Sequence, residues 1–386
     1  MNTTEQRAGP DPERQKKARA YAKASRTFFF LDLALAFAYL VLAVASGAGG
    51  VLSDMAPVTA PVRAALVFVV LIVVYDVVTL PMHVYADYLL PLRYGLLTQS
   101  FGGWLADTAK RTVLVLVLGA LLIAVLYILL ELAPVWWWLL AALAFALVSA
   151  CMAVLLPLVI LPLFYKQKPL EDDALRTRLE RAAERARARV GGVFTIDSSA
   201  KGTVANAALM GIGRTRRVVL TDTLLQTYTA DEIEAVMTHE LGHHVLGHIP
   251  WGLAVQSVLM LVQLYVVHLV LAHLVPAFGY RGLADVAGLP LLLLVLAVVG
   301  ALGVPVTSLL SRRFESDADR FALEQTRAPA PFVSAMTRLT DQNLSETDPP
   351  RWLHLLMGTH PTYRERVRMA EACAPDRAGE APTSKA

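Results

Sequence analysis

Six long apolar runs divide the chain, at about residues 28–45, 62–82, 113–132, 136–164, 251–275 and 289–310. Each has at least the eighteen or so residues that mark a membrane-crossing helix, so the pattern predicts six spans. Between the fourth and fifth runs the periodicity changes. Over residues 171–190 the spacing of Leu175, Leu179, Ala182, Ala186 and Val190 predicts an amphipathic helix with an arginine-rich, solvated outer face. VFTIDSS, TVANAALMGI and RRVVLTDTLL then read as short strands joined by Gly-containing turns, a small sheet whose edge could hold an extended peptide. Helical spacing returns after Thr229, which with Glu232 forms a capping box ahead of Ile233, Val236 and Met237. Pro250 lies past that helix, where it can kink or stop it.

The expected fold is therefore predominantly α: a polytopic membrane helical bundle of about six spans with a domain containing a small β-sheet. Residues 1–26 are expected to be a mobile N-terminal segment and 27–164 a four-span membrane domain. Residues 165–373 carry the sheet, the capped helix and the last two spans, and 374–386 form a disordered tail.

Composition supports this division. Of 386 residues, 56% are hydrophobic and only 17% charged, too apolar for two or three soluble domains. The net charge of +3 says little, but the placement of basic residues says more. They cluster before the first span, between the second and third (Arg93, Lys110, Arg111), after the fourth (Lys166, Lys168) and after the sixth (Arg312, Arg313, Arg320), while the opposite loops are nearly bare. The positive-inside rule then puts both termini and residues 229–248 on the cytoplasmic side. Topology and lipid headgroups account for the N-terminal basic run without a nucleic acid. The long charged leader marks the first run as an uncleaved anchor rather than a signal peptide.

Several polar or aromatic residues in the runs have ordinary explanations. Asp32 and Asp76 lie near span ends, where interfacial water can solvate them. Trp136, Trp137 and Trp138 have the look of an aromatic belt, and residues 86–111 of an interfacial connector on the cytoplasmic side. His268 and His273 read as packing or cavity groups, and Gly300, Gly303 and Pro305 permit a kink or close helix contact. Arg214, Arg216 and Arg217 could meet an anionic peptide end, although a solvated turn suits them better.

The capped helix carries the chemistry. His239, Glu240 and His243 form HExxH, and on a helix the two histidines share a face, so both imidazoles can reach one metal ion with Glu240 beside it. The two cysteines, Cys151 and Cys373, supply no thiolate cluster, which leaves His and carboxylate donors. Such donors suit a single Zn²⁺ with an open position for water, whose proton a nearby glutamate can take during peptide hydrolysis. The natural place for a third ligand is SRRFESDADRFALE, where Glu315 would complete a two-His, one-Glu set. Asp319, four residues on, could fix the tautomer of a liganding imidazole. A solvated helix of mixed charge is the plainer reading of that segment. Continued as one helix, the motif would turn His248 away from His239, which makes His248 and His244 packing groups.

Five stretches together, RYGLLTQSFGGWLAD, ANAALMGIGRTRRVVLTDTLL, HELGHHVLGH, RRFESDADRFA and THPTYRER, resemble the type I CAAX prenyl protease family of integral-membrane zinc endopeptidases. The HtpX-like quality-control proteases are relatives. The resemblance runs from roughly residue 80 to 367 and implies a gluzincin-like zinc site in which His239, His243 and Glu315 bind the ion. It further implies that Glu240 is the general base and then proton donor and that Asp319 stands behind the ligands. Asn206 matches an edge-strand residue that contacts substrate main chain, His360 a histidine that stabilises the oxyanion, and Arg366 an arginine that organises the site. Two departures stand out: six spans in place of seven, and His360-Pro361-Thr362 in place of HPP.

The reading this supports is a membrane-embedded zinc metalloendopeptidase acting on a peptide or protein substrate, lipidated in the case of CAAX processing. The Ala/Arg-rich composition points to a bacterial plasma membrane, where an HtpX-like role in membrane-protein quality control is the alternative. A catalytically silent zinc-binding scaffold or transporter is the rival from another class, and retention of Glu240 argues against it, because a structural site gains nothing from an unliganded base.

Overall fold

The computed structural model describes residues 9–188, 190–211 and 216–373. Arg214 and the tail at 374–386 therefore lie outside the described residues. Helix α1 (Pro12–Ala45) starts well before the apolar run it contains, because Asp11 caps it, accepting from the Glu13 and Arg14 amides, and a proline opens it. Its polar first half is not a mobile segment. The Asp11 amide donates to the Asp341 carboxylate at 3.0 Å, Gln15 Nε2 to the Ser345 carbonyl at 3.2 Å, and Arg26 forms an ion pair with Glu346. The boundary expected at residue 26 thus falls inside one helix, whose N-terminal half docks on the loop following residue 341.

After the short α2 (Ala48–Asp54) come the long helices α3 (Ala60–His83), α5 (Phe101–Leu132) and α6 (Trp137–Leu155). A wide turn over Val84–Leu89 carries α3 into α4 (Leu90–Arg93), and one over Leu156–Ile160 carries α6 into α7 (Leu161–Phe164). With α11 (His248–Ala277) and α12 (Leu289–Thr326), six helices are long and apolar enough to cross a bilayer. Each continues past its apolar run. At about 1.5 Å per residue, the 38 residues of α12 span far more than the ~30 Å hydrocarbon core, so its last turns stand clear of the membrane.

The six helices touch in a closed order, α1, α3, α5, α6, α11, α12 and back to α1. Their shared core lies at one end: Ala43, Val67, Leu71, Tyr127, Leu130, Trp137, Leu271 and Leu292 are among its buried members. Toward the other end burial nearly stops, with no buried residue from 105 to 122 in α5 or from 249 to 263 in α11. The bundle is closed by packing at one end and splayed beneath the sheet-bearing part at the other.

Trp137 belongs to that closed end and not to an aromatic belt. It is fully buried and donates from Nε1 to His268 Nδ1 at 3.0 Å, which makes His268 the packing group expected of it. Asp32 keeps an exposed carboxylate but also accepts from the Tyr75 hydroxyl at 2.6 Å.

The sheet has four strands in the order β1 (Gln167–Pro169), β2 (Val193–Ile196), β4 (Arg217–Thr221), β3 (Ala207–Met210). β1 and β2 are antiparallel, β2 and β4 parallel, and β3 and β4 antiparallel, so β3 is an edge. The connector over residues 86–111 docks on the loop that leads into β3: Leu97 bridges Gly202, and the Thr98 amide donates to the Lys201 carbonyl at 3.0 Å. Helix α8 (Asp173–Arg185) packs Leu175 and Leu179 inward, while its arginines are not merely solvated. Arg178 pairs with Asp231 and Glu234, and Arg185 with Glu234, tying α8 to the helix that follows α9 (Asp222–Thr227).

Truncating Trp137 removes both packing and its hydrogen bond. Trp137→Ala should cost about 3–5 kcal/mol of stability, whereas Trp137→Phe, which keeps most of the volume, should cost about 1 kcal/mol or less. Thermal melts of the detergent-solubilised protein measure this, and two variants melting alike would show that packing is not what Trp137 supplies.

Candidate metal centre

Helix α10 (Ala230–Val245) starts with the expected capping box: Thr229 Oγ1 accepts from the Glu232 amide and Glu232 Oε2 from the Thr229 amide. Its apolar face, Ile233, Met237 and Leu241, is buried in the core of the sheet-bearing part with Leu220, Ala322 and Phe332. Along another face α10 lies against α12, with Gly242 at a point of close approach. A Cβ there would stand 3.1 Å from Ala318 Cα and 3.1 Å from the Phe321 ring, so only a residue without a side chain allows this approach unshifted.

That approach brings Glu315 to the histidines. His239 Nε2 lies 3.3 Å from His243 Nε2, and the two Glu315 oxygens lie 3.4 and 3.3 Å from those nitrogens. Donors about 2.0–2.1 Å from a tetrahedral ion stand about 3.3–3.4 Å apart; the two imidazole nitrogens meet that spacing, and the Glu315 carboxylate spans them with a different oxygen toward each. Glu315 Oε2 is buried and has no hydrogen-bond partner, an orphan that a cation would satisfy. Burial opposes charge on His239, but the carboxylates of Asp319 and Glu315 outweigh it and raise its pKa to about 9. The pocket favours positive charge.

Behind the donors, Asp319 is fully buried with Oδ1 2.8 Å from His239 Nδ1, and it accepts a two-pronged contact from Arg366, whose Nε is 2.8 Å from Oδ2. Arg366 sits on α15 (Tyr363–Ala372), beyond α13 (Pro329–Gln342) and α14 (Arg351–Met357), and its guanidinium also lies over the Phe332 ring. It therefore braces Asp319.

Glu240 lies beside the donors and accepts from the Leu209 amide of β3 at 3.3 Å; burial raises its pKa above the usual carboxylate range, against the pull of His239 and His243. His360 is exposed, with Nε2 3.5 Å from Glu315 Oε2 and Nδ1 2.9 Å from Thr359 Oγ1. Asn206 heads β3, with Oδ1 accepting from the Ala207 amide at 2.9 Å. All eight candidate residues except Asp319 line one 650 Å³ cleft, and Asp319 lies directly behind His239.

Two contacts escape the sequence pattern. His248 does not turn away: α10 ends at Val245, Gly247 takes a φ of +71°, and the chain restarts as α11 with His248 Nδ1 3.0 Å from His243 Nδ1 and its ring stacked on Phe314. The signal was Gly247, a residue suited to that left-handed turn. Arg312, one turn before Glu315, donates to the carbonyls of His354, Leu355 and Gly358, fixing the segment that carries His360. Arg217 faces away from this chemistry, over the Phe194 ring.

A family model described as peptidase family M48 matches residues 169–374, more than half of the chain. The chain belongs to peptidase family M48. A second model, the CAAX prenyl protease N-terminal domain with five membrane helices, matches residues 6–166, where this M48 member has four long helices and the short α2. The uncharacterized metalloprotease YhfN of Bacillus subtilis is 31% identical over 78% of this chain and 72% of its own. A CAAX prenyl protease 1 homolog of Oryza sativa is 29% identical over 79% and 73%. The crystal structure of S. mikatae Ste24p superposes with a TM-score of 0.85 at 22% identity, covering 95% of this chain and 90% of that one, so the fold is shared. The protein is thus an integral, multi-pass membrane metalloprotease, and its His239, His243 and Glu315 form a group that could hold a metal ion.

Because Arg312 acts on backbone carbonyls beside His360, Arg312→Ala should lower kcat/KM about 100-fold through misplacement of that loop, with bound metal unchanged. Paired kinetics and metal analysis test this. Loss of metal in proportion to activity would instead make Arg312 a support of the donors.

Proposed function

We propose that this M48 protease is a zinc endopeptidase with its site on the cytoplasmic face, held by His239, His243 and Glu315 and run by Glu240. The observation that carries this reading is the pair of imidazole nitrogens 3.3 Å apart with the Glu315 carboxylate spanning them, one oxygen 3.4 Å from His239 and the other 3.3 Å from His243, and the half-buried Glu240 carboxylate beside them. Zinc bound there would polarise a scissile carbonyl and lower the pKa of a water molecule. The remaining work falls to side chains of this chain. Glu240, aimed by the Leu209 amide, takes the proton of the attacking water at its carboxylate and passes it to the leaving amine. His360 Nε2, on the open side of Glu315, donates to the carbonyl oxygen as negative charge grows there. Asp319 holds His239 in the tautomer that leaves Nε2 free for metal, and Arg366 keeps Asp319 ionised and oriented, a positioning role and not a catalytic one.

Substrate enters as an extended peptide along β3, where Asn206 meets its main chain. The relatives named CAAX prenyl proteases suggest a lipidated peptide, and the splayed apolar helix ends below the site suit a membrane-held chain. Basic clusters on the same side as the site support a cytoplasmic location, and the composition supports a bacterial plasma membrane.

Replacing the proposed base separates metal from chemistry. Glu240→Gln should keep its zinc and lose cleavage by about 10²–10⁴-fold, measured on purified protein by metal analysis and peptide mass spectrometry. Wild-type rates in that variant would rule out the mechanism.

A further inference from the structure

We infer that α14 is an interfacial helix: it lays Trp352, Leu355 and Leu356 into the edge of the bilayer between α1 and α12, and this contact holds His360 in place beside the donors. The contact with lipid stands on geometry alone, while its effect on catalysis rests on the peptidase reading above. At about 100° per residue, Arg351, Leu355, Trp352 and Leu356 fall in that order within an arc of about 140°. All four are exposed, Trp352 at 57% and Leu355 at 62%. The opposite arc holds Leu353, His354 and Met357, which are half-buried, and His354 lines the cleft. A helix of a water-soluble domain turns its apolar stripe to the core. Here a continuous apolar stripe of large side chains faces out and the histidine faces in, the pattern of a helix that lies in a lipid interface.

What covers the stripe follows from its height on the bundle. Arg312 stands two residues past the sixth apolar run, about 3 Å along the helix axis, and it grips the carbonyls of His354, Leu355 and Gly358. α14 is thereby pinned to α12 where that span ends, and Leu309, the next to last residue of the run, lines one cavity with Leu355. On the other side the Trp352 ring lies 6.2 Å from that of Phe30, which already belongs to the first apolar run. A third mark comes from α11. Its Gly252 packs against Phe314 of α12, and the exposed Trp251 beside it opens the fifth apolar run, a position typical of the membrane–water boundary.

These marks put α14 at the level where the spans leave the hydrocarbon. The lipid that must cover the exposed Phe29 and Phe30 of α1 and Leu309 of α12 is continuous with whatever covers Trp352, Leu355 and Leu356. Arg351 and Arg313, both exposed, stand beside the stripe with guanidinium groups suited to phosphate headgroups. The helix ends at Met357, and only Gly358 and Thr359 separate it from His360. His360 itself is exposed, so its position is inherited from α14. Bilayer contact at one end of this segment thus fixes the imidazole at the other.

The test uses full-length protein carrying Cys151→Ser and Cys373→Ser, with one new cysteine bearing a bimane fluorophore, in nanodiscs of phosphatidylcholine and phosphatidylglycerol. Lipids with a doxyl group high on the acyl chain should quench the label of Leu356→Cys about half as strongly or more as that of Val41→Cys in the first span, and iodide should quench it little. A label of Arg181→Cys on α8 should show the reverse. Iodide quenching equal to that of Arg181→Cys, or shielding from both quenchers, overturns the lipid contact, the second result giving the face to a protein surface. Shielding that arises only with an added farnesylated peptide gives the face to substrate and overturns it equally. In the same nanodiscs the pair Leu355→Asp and Leu356→Asp should lower kcat about tenfold on a soluble, unlipidated peptide, with KM and bound zinc within about twofold of wild type, and the pair Leu355→Met and Leu356→Met should restore it. Wild-type kcat in the aspartate pair overturns the hold on His360. Absence of any cleavage by wild type overturns the peptidase reading, and the quenching result then still decides the lipid contact.

Discussion

The approach of α10 to α12 at Gly242 and Ala318 governs this molecule. The two histidines come from one turn of α10, but a carboxylate some seventy residues later reaches them only because two backbones touch where neither carries a bulky side chain. A methyl group at Gly242 would push α12 outward by tenths of an ångström. Separations of 3.3–3.4 Å among the imidazole nitrogens and carboxylate oxygens leave little room for that.

The rest of the fold stiffens that contact. α12 is both the last membrane span and the carrier of Glu315 and Asp319, so the bilayer-embedded half anchors the site directly. The capping box, the arginines of α8 and the apolar face shared with Phe332 fix α10 against the sheet. The sheet in turn presents β3 and the Leu209 amide to Glu240. Below the site the spans separate, and they close only at the opposite end around Trp137 and its neighbours.

Much of this was legible because it is local or long. Six runs of apolar residues announce six helices, and a capping box followed by HExxH announces a metal-facing helix whatever surrounds it. The pair Glu315 and Asp319 was visible as two acids four apart, though only the fold shows that one faces the histidines and the other lies behind them. What escaped depends on breaks or on backbone. Gly247 divides what reads as one helix, and the division turns His248 back onto His243. Three consecutive tryptophans look alike in a sequence, yet only Trp137 meets a histidine across the bundle. The polar start of α1, the three-residue β1 and the backbone contacts of Arg312 carry no apolar period to betray them.

The central claim is that His239, His243 and Glu315 grip one ion together. X-ray absorption and metal analysis of the purified protein measure this most directly, comparing wild type with Glu315→Ala. One zinc per chain with two imidazoles and a carboxylate in wild type, and a large loss of bound zinc in the variant, is the expected result. Full zinc occupancy with unchanged coordination in Glu315→Ala would contradict it.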